Sequence, residues 1–138
     1  MNLDKVAILV KKAALHVYKI QTPILKPYDL TVSQYKFLKI LYYAPKDSVR
    51  VMDLENLFSL THSTAIDILQ VLEKKGYTTR IVNPRDARSK IVSLTNKAYA
   101  EQKELEALGD EMETAVTDNL TEMEKEQLIL LLKKLIGE

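Results

Sequence analysis

The chain has 138 residues, 46% of them hydrophobic and 28% charged, with a formal net charge of +1 and no cysteine. That length supports one globular domain with a sizeable core. The lack of Cys excludes a disulfide framework, a thiolate zinc site and thiol-based redox sensing, and points to an intracellular setting. Asp4, Lys5, Lys11 and Lys12 interrupt the apolar N-terminal run, so it reads neither as a signal peptide nor as a membrane span, and a cytoplasmic protein without membrane association is expected.

From residue 3 to about residue 25, Leu3, Val6, Ala7, Val10, Ala14, Val17, Gln21 and Ile24 recur at helical spacing, and Ile8, Leu9, Leu15 and Ile20 widen the stripe. An apolar face that broad suits a helix central to the fold or shared with a second subunit. Pro23 and Pro27 bend or end it, because proline lacks the amide hydrogen and disfavours helix for the residue before it. Leu-Thr pairs then recur at 30–31, 60–61, 94–95 and 120–121, each before a segment with helical periodicity. A threonine hydroxyl accepts from an amide that the first helical turn leaves unpaired, so four helix starts are predicted, two of them capping boxes (Thr31 with Gln34, Thr121 with Glu124).

The second helix is predicted over Val32 to about Tyr43, with Tyr35, Leu38, Leu41 and Tyr42 inward. A turn at 44–47 leads to a short strand over 48–51. A two-turn helix follows from Met52 to Phe58, with Leu54, Leu57 and Phe58 as its apolar positions. After a tight turn at 59–61, Ala65, Ile68, Leu69 and Leu72 fall at i, i+3, i+4 and i+7, one face of an amphipathic helix that Gly76 can close in the left-handed conformation. Two short helices joined by three residues make a helix-turn-helix. Tyr77 to Val82 and Lys90 to Leu94 are β-type runs separated by the turn-forming residues 83–89, so a hairpin is expected next. Beyond Leu94 the chain reads as helical: a long polar helix from Ala98 to about Asn119 with Leu105, Leu108, Met112, Ala115 and Val116 inward, then a final helix over 122–136.

Charge is unevenly spread along this order. Residues 1–73 carry 9 basic and 7 acidic side chains, residues 74–97 carry 7 and 1, and residues 98–138 carry 4 and 11, which is +2, +6 and −7. A +6 segment confined to the hairpin fits a polyanion such as nucleic acid, and equally a solvated surface hairpin. Arg85, Arg88 and Lys90 cluster at its tip. Asp86 and Arg88, two apart, share a face of an extended segment, so the carboxylate can hold the guanidinium in one direction. Opposite the apolar stripe of the preceding helix lie His62, Ser63, Ile66, Asp67 and Gln70, with Thr64 at the rim. Near a helix N-terminus such side chains can meet phosphates or base edges; Gln70 suits adenine and Ile66 a thymine methyl. The apolar residues of the two chain ends, among them Leu3, Val6, Val10, Leu128, Leu131, Leu132 and Leu135, fit a homodimer interface, with an intramolecular pair of helices as the alternative. His16 and His62 fall in different elements, the three glycines form no phosphate loop, and no nucleophile set is apparent; neither an enzyme nor a metal or cofactor is expected.

The run Leu25-Lys26-Pro27-Tyr28-Asp29-Leu30-Thr31-Val32-Ser33-Gln34-Tyr35, then Ser63-Thr64-Ala65 leading to Leu72-Glu73-Lys74-Lys75-Gly76, then Asn83-Pro84-Arg85-Asp86-Ala87-Arg88, Val92-Ser93-Leu94-Thr95 and Lys97, resembles the MarR-type winged-helix transcriptional regulators over almost the whole chain. The resemblance implies a mainly α (α+β) fold, a single MarR-like domain over 1–138. Its winged helix-turn-helix with a small β-hairpin wing would span 31–97, flanked by N- and C-terminal dimerisation helices at 1–30 and 98–138. It implies a homodimer on a pseudo-palindromic double-stranded DNA operator, usually as a repressor, with the helix from Thr61 in the major groove and Arg88 reaching the minor groove. It also implies a small aromatic effector, for which His16, Tyr18, Tyr28, Tyr42 and Tyr43 are candidates, although tyrosines at helical spacing also serve as core. Three positions depart from the pattern: Asp67 stands where a basic residue is common, Ile66 where a small polar one is, and Glu55 where a small buried one is. The departures keep a second reading open, a winged-helix protein-interaction module or adapter with weak or no DNA binding.

Overall fold

The computed structural model describes residues 2–138, which form two compact units: residues 2–24 with Leu108–Glu138, and Leu25–Ala107. Among the described residues no helix is long and apolar enough to cross a membrane. The elements are α1 (Val6–Leu25), a 3-10 turn (Lys26–Tyr28), α2 (Val32–Tyr43), α3 (Val51–Phe58), α4 (His62–Lys74), β1 (Thr78–Asn83), β2 (Asp86–Leu94), α5 (Asn96–Ala100), α6 (Gln102–Val116) and α7 (Glu122–Leu135).

The four threonine starts are all present. Thr31, Thr61, Thr95 and Thr121 are the N-caps of α2, α4, α5 and α7, and each hydroxyl accepts from the amide three residues on at 3.1–3.2 Å. Gln34 and Glu124 complete capping boxes, accepting from the cap amides at 3.2 and 2.9 Å. The Glu124 carboxyl is held below its ordinary range by the Thr121 amide. Pro23 lies inside α1, the helix runs on to Leu25, and the turn carrying Pro27 then takes the chain out. Gly76 adopts φ +84 just past α4, and Ser59 takes the same left-handed region, φ +52, to turn the chain between α3 and α4 within three residues.

Five expectations need correction. First, α1 begins at Val6, three residues later than its apolar pattern. Second, α3 begins at Val51 because its cap is built one residue earlier. The Arg50 amide donates to Asp53 Oδ2 at 2.8 Å, and the Arg50 guanidinium donates to Asp53 Oδ1 at 2.9 Å. This pairing leaves the expected strand over 48–51 as a single bridge, Arg50 to Ile91, with the Val92 amide donating to the Val49 carbonyl at 2.9 Å. Third, Leu57 on α3 is exposed. Fourth, the hairpin is longer and tighter than its composition suggested. Thr78 to Val82 pair regularly with Leu94 to Lys90, Asn83 pairs with Asp86, and the chain turns at Pro84-Arg85 alone. The residues between Asp86 and Lys90 are accommodated as a bulge in β2, which bends the strand and re-aims its side chains. Fifth, the polar helix after Leu94 is broken at Glu101 into α5 and α6, which ends at Val116.

The unit formed by Leu25–Ala107 holds a closed core. Leu25, Leu38, Leu54, Ala65, Leu69, Leu72 and Ala98 are fully buried, and the rings of Phe37 and Phe58 stack at 5.6 Å. Burying a Leu side chain contributes on the order of 2 kcal/mol, so the four α2, α3 and α4 leucines fix how these helices sit together. Helix α4 packs on α2, α3 and β1, with Ile68 half-buried beside the stripe. At the C-terminal end of α4, the Lys75 ammonium donates to the Asp29 carbonyl and to Gln34 Oε1, and the Lys97 ammonium donates to the Lys75 carbonyl at 2.6 Å. The other unit is different in character: Leu108 and Met112 are buried, whereas α7 buries no residue and α1 buries none before Leu25.

Candidate nucleic-acid interface

The α3-turn-α4 pair and the β1-β2 wing lie in the same unit, and α4 is held from both sides. Its inward face is Ala65, Leu69 and Leu72; its outward face carries the exposed His62, Ser63, Asp67 and Gln70, with Ile66 half-buried between them. Thr64 is also exposed, but it works in the cap: its amide donates to the Thr61 hydroxyl, and that hydroxyl donates to the Thr64 Oγ1 at 3.0 Å. Thr64 is therefore less available to a ligand than Ser63.

The wing is tied to α4 by Arg80 on β1, whose Nε donates to Glu73 at 2.6 Å in a partly buried ion pair. Beyond it the basic side chains are exposed. Arg85 sits at the tip, its amide bonded to Asn83 Oδ1 at 3.0 Å. Asp86 does hold Arg88, mostly through the backbone: its carboxylate accepts the Arg88 amide at 3.1 Å, while the guanidinium Nε stands 3.5 Å away and the Arg88 side chain is 95% exposed. Lys90 is exposed on the same strand.

Helix α3, helix α4 and the wing enclose a cleft of about 330 Å³, lined by Val51, Met52, Glu55, His62, Ile66, Arg80, Asp86, Arg88, Ser89 and Lys90. It brings together His62 and Ile66 of α4 with Asp86, Arg88 and Lys90 of the wing; Arg85, Ser63, Thr64, Asp67 and Gln70 lie outside its lining. Its floor includes residues that sequence reasoning did not assign to a site, namely Val51, Met52, Arg80 and Ser89. The signal for Arg80 was present in the +6 segment; that for Val51 and Met52 was masked by the late helix start. Glu55, which departs from the family pattern, is accommodated at the cleft wall, 19% exposed, where its Oε2 lies 3.0 Å from His62 Nδ1.

The aromatic candidates are divided between the two units. His16 and Tyr18 are exposed on α1, whereas Tyr28, Tyr42 and Tyr43 belong to the other unit. Tyr43 is 92% exposed. The Tyr42 hydroxyl donates to the Ala98 carbonyl, and burial, reinforced by Tyr77, Glu101 and Glu106, pushes its pKa well above the ordinary tyrosine value. Leu3, Val6 and Val10 near the N-terminus and Leu128, Leu131, Leu132 and Leu135 on α7 are all exposed, within one unit, and most of the exposed large apolar side chains are found there.

A helix-turn-helix whose second helix is followed by a basic two-stranded hairpin defines a winged helix-turn-helix protein. The model of the MarR family matches residues 28–89 of this chain, from the turn before α2 into the wing. The chain is 27% identical to a mutant MarR from E. coli solved in complex with operator DNA, with a TM-score of 0.84 over 94% of this chain and 92% of that one. To the wild-type apo MarR from E. coli the identity is 27%, with a TM-score of 0.81 over 97% and 98% of the two chains. To MepR of S. aureus in its DNA complex it is 26%, with a TM-score of 0.84 over 96% and 97%.

Proposed function

We propose that this protein is a DNA-binding transcriptional regulator of the MarR type. It acts as a homodimer on a pseudo-palindromic double-stranded operator, most simply as a repressor, and a small aromatic effector releases it. The observation that carries this reading is the pairing of a polar, exposed face on α4 with an exposed basic wing on the far side of one cleft. Solved DNA complexes of the similar MarR and MepR support it.

In this mechanism α4 enters the major groove with its N-terminus leading. Ser63 and the first-turn amides meet phosphate, while Ile66 and Gln70 meet base edges. Asp67 accepts from a cytosine amino group, a base-edge donor that offsets the cost of a carboxylate near phosphates. Arg85, Arg88 and Lys90 at the wing supply the cations that displace counterions, with Arg88 directed to the minor groove. Asp86 shapes the bulge by accepting the Arg88 amide. The exposed leucines and valines of α1 and α7 form the dimer contact, because apolar area of that extent is seldom left in water. Dimerisation then sets the half-site spacing at about one helical turn.

Half-buried Ile66 and exposed Asp67 on the recognition face favour the alternative of a protein-interaction module. The two readings separate in a titration against random duplex DNA at two salt concentrations. Phosphate-mediated binding weakens steeply with salt, and an apolar protein interface does not.

A further inference from the structure

Glu55 and His62 meet across the turn between α3 and α4. Their 3.0 Å contact joins Glu55 Oε2 to His62 Nδ1. The histidine side chain is 69% exposed, it stands at the first position of α4, and its Nε2 has no hydrogen-bond partner among the described residues. An ionised carboxylate only accepts, so the contact requires a hydrogen on Nδ1. In a neutral imidazole the other nitrogen must then carry a lone pair, because the bond made by one ring nitrogen decides the state of the other.

From this geometry we propose that Glu55 is a positioning residue that sets the specificity of DNA reading through His62. It holds the ring in the Nδ1–H tautomer, so the leading edge of α4 presents an acceptor instead of a donor. The proposal rests on the DNA-binding reading given above. In the major groove the donors available to such an acceptor are the amino groups of adenine and cytosine; guanine O6 and N7 and thymine O4 are acceptors that would face the Nε2 lone pair. A phosphate oxygen is excluded for the same reason. A histidine at this position without Glu55 is free to present Nε2–H, which suits guanine or phosphate. The other charged groups around the cleft do not compete for Nδ1: Arg80 is committed to Glu73, Asp86 accepts from Arg88, and Lys90 offers only donors.

The test has two parts, the first without DNA. Nitrogen-15 NMR of the imidazoles, with His16 as internal comparison and His62→Gln to assign the signal, reads the tautomer directly at about pH 8.5, well above the ordinary imidazole pKa. Wild type is expected to show Nδ1–H at His62, and Glu55→Ala to revert to mostly Nε2–H while remaining folded. In the second part, selection from randomised duplex DNA compares wild type, Glu55→Ala and Glu55→Gln. Wild type should prefer adenine or cytosine at one position per half-site by about fivefold to tenfold, the discrimination expected of a single hydrogen bond. Glu55→Ala should lose or invert that preference with its salt dependence unchanged. An Nε2–H signal in wild type overturns the proposal, and so does an identical base preference in wild type and Glu55→Ala. If wild type shows Nδ1–H but binds no DNA, the DNA reading fails and the specificity role fails with it, while the Glu55–His62 geometry stands.

Discussion

Replacing Arg88 by alanine isolates the contribution of the wing, because the side chain has almost no structural work to lose. It is 95% exposed, and its sole side-chain partner among the described residues is Asp86 at 3.5 Å. Exposed ion pairs of this kind contribute about 0–1 kcal/mol, so the stability of Arg88→Ala should stay within ~0.5 kcal/mol of wild type. Its proposed role in DNA binding is worth more. A charge-assisted hydrogen bond contributes about 1.5–3 kcal/mol, which converts to roughly a tenfold to hundredfold weaker affinity per wing. With one phosphate fewer neutralised, the slope of log K against log salt should also fall by ~0.9, hence by ~1.8 if two wings engage. Fluorescence anisotropy on a labelled operator duplex between roughly 50 and 300 mM salt reads both quantities, and a urea melt checks the fold. A folded Arg88→Ala with wild-type affinity and slope would remove the wing from the mechanism.

Other side chains make equally specific expectations. Thr61→Ala removes the α4 cap, bonded to the Thr64 amide and hydroxyl, and should cost about 1 kcal/mol in a denaturant melt. Leu69→Ala, at a fully buried position, should cost about 2–5 kcal/mol and weaken DNA binding by loosening α4. Leu132→Asp on the exposed face of α7 should yield a smaller species in analytical ultracentrifugation; an unchanged sedimentation coefficient would contradict a dimer contact there. Burial raises the pKa of Tyr42, and it also raises that of Tyr77. The folded state therefore retains these protons more strongly than the unfolded chain. Their contribution to stability is complete below about pH 10, the unfolded tyrosine value, and falls as pH rises beyond it. Urea midpoints measured from neutral to strongly alkaline pH should decline above that point, less steeply in Tyr42→Phe.

The parts of the fold legible in the sequence were those carried by local chemistry. A threonine hydroxyl caps through the amide three residues on, and Gly76 stops a helix through its own backbone, so α2, α4, α5 and α7 announced where they start. The corrections fall where distant residues decide. The β2 bulge leaves its residues unpaired only because the partner strand fixes the register, and Asn83 to Ser89 had the composition of a loop. The break at Glu101 carries no proline or glycine. Helix α3 starts at Val51 because the Asp53 carboxylate reaches back to accept the Arg50 amide, the N3 half of a capping box with no hydroxyl at the N-cap. Within the candidate site, the outward face of α4 and the basic wing followed from periodicity and charge. The pairing of Glu55 with His62 and of Arg80 with Glu73 joins residues seven apart on different elements, which only the packed arrangement brings together.

If α4 and the wing together bind a symmetric DNA site, that site can be recovered by selection from a pool of random duplex DNA at low and high salt. Bound sequences should be enriched in a two-fold site with half-sites about one helical turn apart, with binding lost at the higher salt. No binding at either salt, by protein shown to be folded and free of bound small molecules, would contradict a DNA-binding role and favour the protein-interaction reading.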